Sequence, residues 1–200
     1  MIRFWNFIAH RCPAAAELGR SAAEGFQLVK VVIATASLDL VLQSPEEVLA
    51  WVASLPPADR AEVSPDWIAR VRETPEGDPW SLGYSAVERA SGAAVGGCFF
   101  KGPPDADGVV EVAYGIDPPH RGRGYATEAA GGLAGFALAS GRVRLVRAHT
   151  KLDGGASMRV LDKCGFRRVG EIMDPEDGLV CRWERGHAEP NAAPDGDKRA

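Results

Sequence analysis

Between Val110 and Ala126 the chain reads Val-Glu-Val-Ala-Tyr-Gly-Ile-Asp-Pro-Pro-His-Arg-Gly-Arg-Gly-Tyr-Ala, a succession that few folds accommodate. From Val109 to Ile116 the residues Val110, Val112, Tyr114 and Ile116 alternate with Glu111, Ala113 and Gly115, the period-two pattern of a strand with two unlike faces. Pro118 and Pro119 end it. From Tyr125 to Ala139 apolar residues recur at Ala126, Ala129, Ala130, Leu133, Phe136 and Ala137, which is helical spacing. The helix therefore begins inside a glycine turn. Its first amides have no intrahelical partner and its dipole favours negative charge, so the N–H groups around Gly122 to Ala126 can converge on a phosphate. Gly122 and Gly124 let the backbone approach closely, and Arg121 and Arg123 bring charge to the rim. The stretch predicts a site for a pyrophosphate-bearing cofactor, held by Arg121, Gly122, Arg123, Gly124, Tyr125 and Ala126; its plain alternative is a turn that only links a strand to a helix. A dinucleotide fingerprint needs a third glycine where Thr127 stands, and the NTPase phosphate loop needs Gly-Lys-Ser/Thr, which is absent.

The rest of the chain arranges itself about this unit. Gln27 to Thr35 is rich in β-branched residues and reads as the first strand. Ser44-Pro45-Glu46-Glu47 predicts a helix start with a capping box, with Leu49, Val52 and Leu55 facing inward. Ser64-Pro65-Asp66-Trp67 predicts a second, closed by Pro75. Strand-like runs Trp80 to Arg89 and Ala93 to Lys101 flank Ala90-Ser91-Gly92, and the turn from Gly102 to Gly108 delivers the chain into the central strand, which predicts an antiparallel meander. Gly141 ends the central helix. Val143 to Thr150 must then run parallel to the central strand, because a helix crosses over between them. Asp153 to Cys164 predicts a helix stopped by Gly165, with Phe166 placed for the C-cap contact, and Arg168 to Met173 with Leu179 to Glu184 a final hairpin around Pro175 and Gly178. The expectation is an α/β single domain over 27–185 with a mixed, mostly antiparallel sheet and one parallel pair around the central helix. Residues 1–26 are expected to be an irregular extension, and 186–200, built of Ala, Pro, Asp and Gly, a disordered tail.

Composition excludes several roles. With 46% hydrophobic and 25% charged residues the chain reads as a soluble globular domain, and a net charge of −4 gives nucleic-acid binding no electrostatic support. Cys12, Cys98, Cys164 and Cys181 contain no Cys-x-x-Cys pair, so neither a zinc site, nor any other metal, nor a disulfide framework is expected. A reducing cytoplasm is the expected location. The run Phe4 to Ala9 is broken by Asn6 and is too short for a signal core or a membrane span. A monomer or homodimer is expected.

The spacing Arg-x-x-Gly-x-Ala at Arg121, Gly124 and Ala126 resembles the pyrophosphate loop of the GCN5-related N-acetyltransferases (GNAT). The run Ala156-Ser157-Met158-Arg159-Val160-Leu161-Asp162-Lys163-Cys164-Gly165-Phe166 resembles a later motif of the same family, in the branch that includes the ribosomal-protein alanine N-acetyltransferases. The resemblance implies the acetyltransferase fold, acetyl-CoA as acyl donor, and a primary amine as acceptor, either a peptide N-terminus or a small molecule. Glu111 resembles the acidic residue often found on this strand and is the candidate base; His149 is the second candidate, and water the third. A bulge in the central strand would free an N–H to polarise the thioester carbonyl and open a gap for the pantetheine arm. The chain departs from the pattern in two places. Leu161 stands where many relatives have a tyrosine, leaving Ser157 or water to stabilise the departing thiolate, and Gly154 replaces a familiar Asn, with Asp153 the candidate cap. Trp51, Trp67 and Trp80 are candidates for the acceptor side or the core. Two rival readings stay open: an acyl-CoA-binding module without catalysis, and a nucleotide-binding α/β protein.

Overall fold

The computed structural model describes residues 31–187 apart from 62, 64 and 175–177. Its strands are β1 (Val32–Ala34), β2 (Leu38–Leu42), β3 (Gly83–Glu88), β4 (Ala94–Phe100), β5 (Val109–Ile116), β6 (Leu145–Lys151), β7 (Arg167–Asp174) and β8 (Gly178–Gly186). The helices are α1 (Pro45–Ser54), α2 (Pro57–Ala61), α3 (Pro65–Glu73), α4 (Tyr125–Ala139) and α5 (Gly155–Lys163). One sheet takes the order β1-β2-β3-β4-β5-β6-β8-β7, antiparallel throughout except for the parallel pair β5 and β6. The α/β architecture with a mixed sheet follows the expectation.

Local chemistry explains most boundaries. At α1 the Ser44 hydroxyl accepts from the Glu47 amide at 3.1 Å and the Glu47 carboxylate accepts from the Ser44 amide at 2.8 Å, so two helix-end donors are satisfied reciprocally. Val48, Trp51 and Val52 are its buried residues. The proposed Ser64 cap of α3 lies outside the described residues, as do Pro175 and the 27–30 part of the first strand. Two elements differ from expectation. β2 was not anticipated, although Leu38, Leu40 and Leu42 are buried and alternate with Asp39 and Val41. Neither was α2, a five-residue turn of helix with no buried residue.

Helix α4 forms the inner layer. Ala129, Ala130, Leu133, Ala134 and Ala137 have no exposed surface, and these mostly small side chains bring the helix close to the sheet. A Cβ at Gly132 would stand 2.9 Å from the Thr35 Cγ2 and 3.4 Å from the Leu40 Cδ1, so this glycine serves close packing on β1 and β2. Trp80 packs on Phe100 with ring centroids 4.9 Å apart and on Phe136 at 5.9 Å, which seats the middle of α4 over β4. Glu128, in the first turn of α4, accepts from the Thr35 hydroxyl at 2.6 Å, the Ser37 amide at 2.7 Å and the Ser37 hydroxyl at 2.9 Å. The β1–β2 turn is thereby tied to the start of the helix.

The central pair of strands parts early. β5 meets β6 only at Val109↔Leu145, Val110↔Val146 and Glu111↔Arg147, after which both strands run on without pairing to each other. No bulge causes the opening, contrary to expectation. β5 keeps an unbroken register with β4 from Gly96↔Ile116 to Phe100↔Val112, so the two strands diverge instead. That close register predicts opposite outcomes for one substitution at two glycines. In Gly96→Ala the new Cβ would lie 2.2 Å from the Gly115 carbonyl oxygen, so urea unfolding should show a loss of about 1–3 kcal/mol or more. In Gly135→Ala, mid-helix with nothing within 4 Å of the new Cβ, it should show a gain of about 1 kcal/mol.

Candidate functional site

The turn after β5 is built by its backbone. Pro118–His120 makes a short 3-10 turn, and the Arg121 side chain donates to the Ile116 carbonyl at 2.9 Å, folding the chain back toward the strand end. Gly122 and Gly124 follow with φ of 80° and 87°, a left-handed conformation that suits glycine. Gly124 is the N-cap of α4, and its carbonyl accepts from Thr127 and Glu128. A Cβ at either glycine would meet nothing within 4 Å, so the space above the turn is open. Gly124 to Thr127, the start of the helix, line that space, and the first amides of a helix have no intrahelical partner.

A cavity of about 470 Å³ lies over the turn, walled by Tyr114 to Ile116 of β5 on one side and by α5 on the other. His120, Arg121, Arg159 and Lys163 contribute basic groups to its walls, so an anion fits both the backbone and the side chains. Of the residues anticipated from the sequence, Arg121, Gly122, Gly124, Tyr125 and Ala126 line it. Arg123 does not line it, and its charge lies beside Glu88. The Tyr125 hydroxyl donates to the Glu88 carboxylate, and hydrogen bonds from Ser91 and Tyr125 hold that carboxyl below its ordinary pKa. The tip of the β3–β4 hairpin is thus joined to the glycine turn.

Helix α5 opens with Gly154 as N-cap and no side-chain cap, so Asp153 does not take the capping role expected of it. A Cβ at Gly154 would stand 3.0 Å from the Lys151 carbonyl oxygen, which leaves little room for a larger residue. Ser157, the third residue of the helix, is exposed on the cavity wall. Its carbonyl accepts from the Tyr114 hydroxyl at 3.4 Å, a link from β5 to α5 across the parted strands. Tyr114 was missed from the sequence, where it reads as one more core residue in phase with Val110 and Val112; burial raises its pKa. Leu161 is fully buried and presents nothing to the cavity. The helix ends as anticipated, with Gly165 donating to the Asp162 carbonyl and Phe166 to that of Leu161, each at 3.0 Å.

Strand alternation puts Glu111 on the sheet face opposite Val110 and Val112, which pack with the apolar residues of α4. The Glu111 carboxylate meets the Lys101 ammonium at 2.7 Å and the His149 Nδ1 at 3.1 Å. Asp174 at the end of β7 brings a second carboxylate to 3.7 Å from the same nitrogen. Burial pushes the Glu111 carboxyl up, but the hydrogen bond from His149 and the Lys101 ammonium outweigh it and hold the pKa below its ordinary value. The sequence offered Glu111 and His149 as alternatives; the fold joins them, at the point where β5 and β6 part. Trp51 and Trp80 are buried in apolar clusters and Trp67 packs beside them. Among the described residues, no group of three or more His, Cys, Asp or Glu is arranged to hold a metal, and no helix is long and apolar enough to cross a membrane.

Residues 31–167 match the family model described as an acetyltransferase (GNAT) domain. The chain is 34% identical over 89 residues to an uncharacterized N-acetyltransferase of Bacillus subtilis (strain 168), YjdG, covering 44% of this chain and 51% of that protein. It spans about half the length of the curated relatives it matches. Among solved structures it is similar to the aminoglycoside acetyltransferase AAC(6')-Ib in complex with coenzyme A, with a TM-score of 0.58 and 18% identity over 76% of this chain and 95% of that one. It is equally similar to RimL, a ribosomal alpha-N-protein acetyltransferase in complex with coenzyme A, with a TM-score of 0.58 and 15% identity over 78% and 98%. At these identities the likeness is one of fold.

The lowered pKa of Glu111 carries a sign. A carboxyl whose folded pKa lies below its unfolded one adds stability that is fully present above the unfolded value, about 4.3, and is lost as the pH falls through the folded one. Glu111→Gln should therefore destabilise the fold at pH 7 by on the order of 1–3 kcal/mol, since Lys101 loses a charged hydrogen-bond partner. Urea unfolding of both proteins from pH 7 downward should show the difference shrinking below pH of about 4.

Proposed function

Because the chain belongs to the GNAT acetyltransferase family, we propose that it transfers an acetyl group from acetyl-CoA to a primary amine, by direct attack within a ternary complex. One observation carries the reading: the glycine turn and the unpaired length of β5 open onto one cavity, and Glu111 stands where β5 leaves β6. Acetyl-CoA supplies an acyl carbon activated as a thioester and a thiolate as leaving group. The pyrophosphate is held by the amides of Gly122 to Ala126, with Arg121 on the cavity wall and Arg123 at the outer rim. The pantetheine arm runs along the β5 edge that β6 leaves unpaired. The Glu111–His149 pair takes the proton of the acceptor ammonium. The Ser157 hydroxyl, near the positive end of the α5 dipole, stabilises the departing thiolate.

The Ala156 to Phe166 run is the ground for proposing the ribosomal-protein N-terminal branch. One structural neighbour is named for a ribosomal alpha-N-protein reaction and another is held in complex with kanamycin, so peptide N-termini and aminoglycosides are the two acceptor sets to try first. We propose a monomer or homodimer in the cytoplasm. A second reading, an acyl-CoA-binding module without catalysis, is favoured by one feature: α5 has neither a side-chain cap nor an ionisable residue at Leu161.

Coenzyme A at 100 times its dissociation constant should stabilise the fold by about 2.7 kcal/mol. Gly124→Val should lose most of that shift, because the residue occupies a left-handed position at the mouth of the cavity. Equal stabilisation of both proteins would remove the loop assignment. Thiol release should depend on an added amine, and Ser157→Ala should slow it more than it weakens coenzyme A binding. Binding with no thiol release across both acceptor sets would favour the non-catalytic module.

A further inference from the structure

His149 occupies an unusual position. It lies on β6 two residues past Arg147, the last residue paired with β5, so its ring stands at the opening between the strands. Its neighbours Ala148 and Thr150 are buried toward the helices, and His149 therefore faces the other way, with Glu111. The side chain is 7% exposed. Two carboxylates, Glu111 and Asp174, approach Nδ1, and neither can donate when ionised. Nδ1 must then carry a hydrogen, so in the neutral ring the lone pair falls on Nε2. That atom is buried and has no hydrogen-bond partner. A ring nitrogen left desolvated and unpartnered is costly to fold around, since the large majority of buried polar side-chain atoms find a partner.

Resting on the acetyl-transfer reading, we propose that Nε2 of His149 is the atom that takes the proton from the acceptor amine, with Glu111 and Asp174 as positioning residues on the Nδ1 side. The amine N–H bond breaks with its electron pair left on nitrogen, the Nε2–H bond forms, and the imidazolium charge faces the two carboxylates. The proton then passes to solvent or to the departing sulfur, which restores the neutral ring. Glu111 is poorly suited to act alone, since one of its oxygens already engages both Lys101 and His149. Other charged groups stand about the ring, among them Arg182, whose buried Nε also has no hydrogen-bond partner. Arg147 on the same strand pairs with Glu184 of β8 at 3.1 Å, Lys151 is exposed at the strand end, and Arg182 is the register partner of His149 on β8.

The test has two arms. Nitrogen-15 NMR of the imidazole in the ligand-free wild-type chain should show the Nδ1–H tautomer at neutral pH, and Glu111→Gln should weaken that preference. A wild-type ring protonated at Nε2 instead would overturn the proposal without any activity measurement. In the second arm His149→Gln should lower amine-dependent thiol release about 10²- to 10⁴-fold and abolish the acidic limb of the kcat/KM profile, while coenzyme A stabilisation stays as in wild type. Glu111→Gln should keep an acidic limb, displaced in pH, because the accepting nitrogen is still there. Near-normal release by a folded His149→Gln sinks the assignment and leaves the acetyl-transfer reading standing. Absence of release by wild type with every amine sinks both.

Discussion

Backbone hydrogen bonding in a sheet interior is close to obligatory, and this sheet gives it up at its centre. After Glu111 the β5 strand has β4 on one side and no ladder partner on the other. Each half of the sheet is held firmly enough to tolerate that. On one side β4 and β5 share five successive residue pairs; on the other β6 and β8 share seven. The opening lies between two well-paired blocks whose shared ladder is three residue pairs long, with a helix crossing between them. The cavity, the link from Tyr114 to Ser157 and the placement of His149 all follow from where that parting begins.

The first turn of α4 then has to be fixed against both blocks. Glu128 does this toward β1 and β2, where Thr35 and Ser37 supply three donors, and Arg89 closes the same turn from outside through Asp39 and the Thr35 and Leu38 carbonyls. Tyr125 does it toward the β3–β4 hairpin through Glu88. Farther along, Gly131 faces the Cys164 thiol of α5 at ordinary contact distance for a Cβ, which sets the spacing of the two helices that border the cavity. Small residues on α4 thus determine position as much as they fill volume.

Much of this was legible in the sequence where the signal is local. The reciprocal cap of Ser44 and Glu47, the start of α4 in a glycine turn and the Gly165 stop of α5 each depend on residues a few positions apart, and each appears as read. What was not legible is long-range or short in extent. β2 has only five residues and abuts a turn, so its three leucines were passed over. The opening beside β5 looked like a matter for a bulge, a local event, when it arises from divergence of two strands that leaves no mark in either one. Glu111 and His149 are 38 positions apart, and only the parallel crossover brings them within hydrogen-bond distance. Tyr114 shares the phase of core residues, and alternation cannot reveal that its hydroxyl reaches another helix.

The left-handed glycines of the turn have an entropic corollary. Gly122 and Gly124 already hold the conformation that bares the helix end, and the hydrogen bonds from Arg121, Thr127 and Glu128 keep it there. On the proposal that this turn receives the pyrophosphate, an arriving anion does not have to gather a wandering loop around itself. The loss of chain freedom is settled when the domain folds, at the expense of folding stability, so little of the binding free energy is consumed in ordering the receptor. Substitutions that loosen the turn without touching any contact to the anion would therefore weaken binding all the same, by returning that lost freedom to the unbound state.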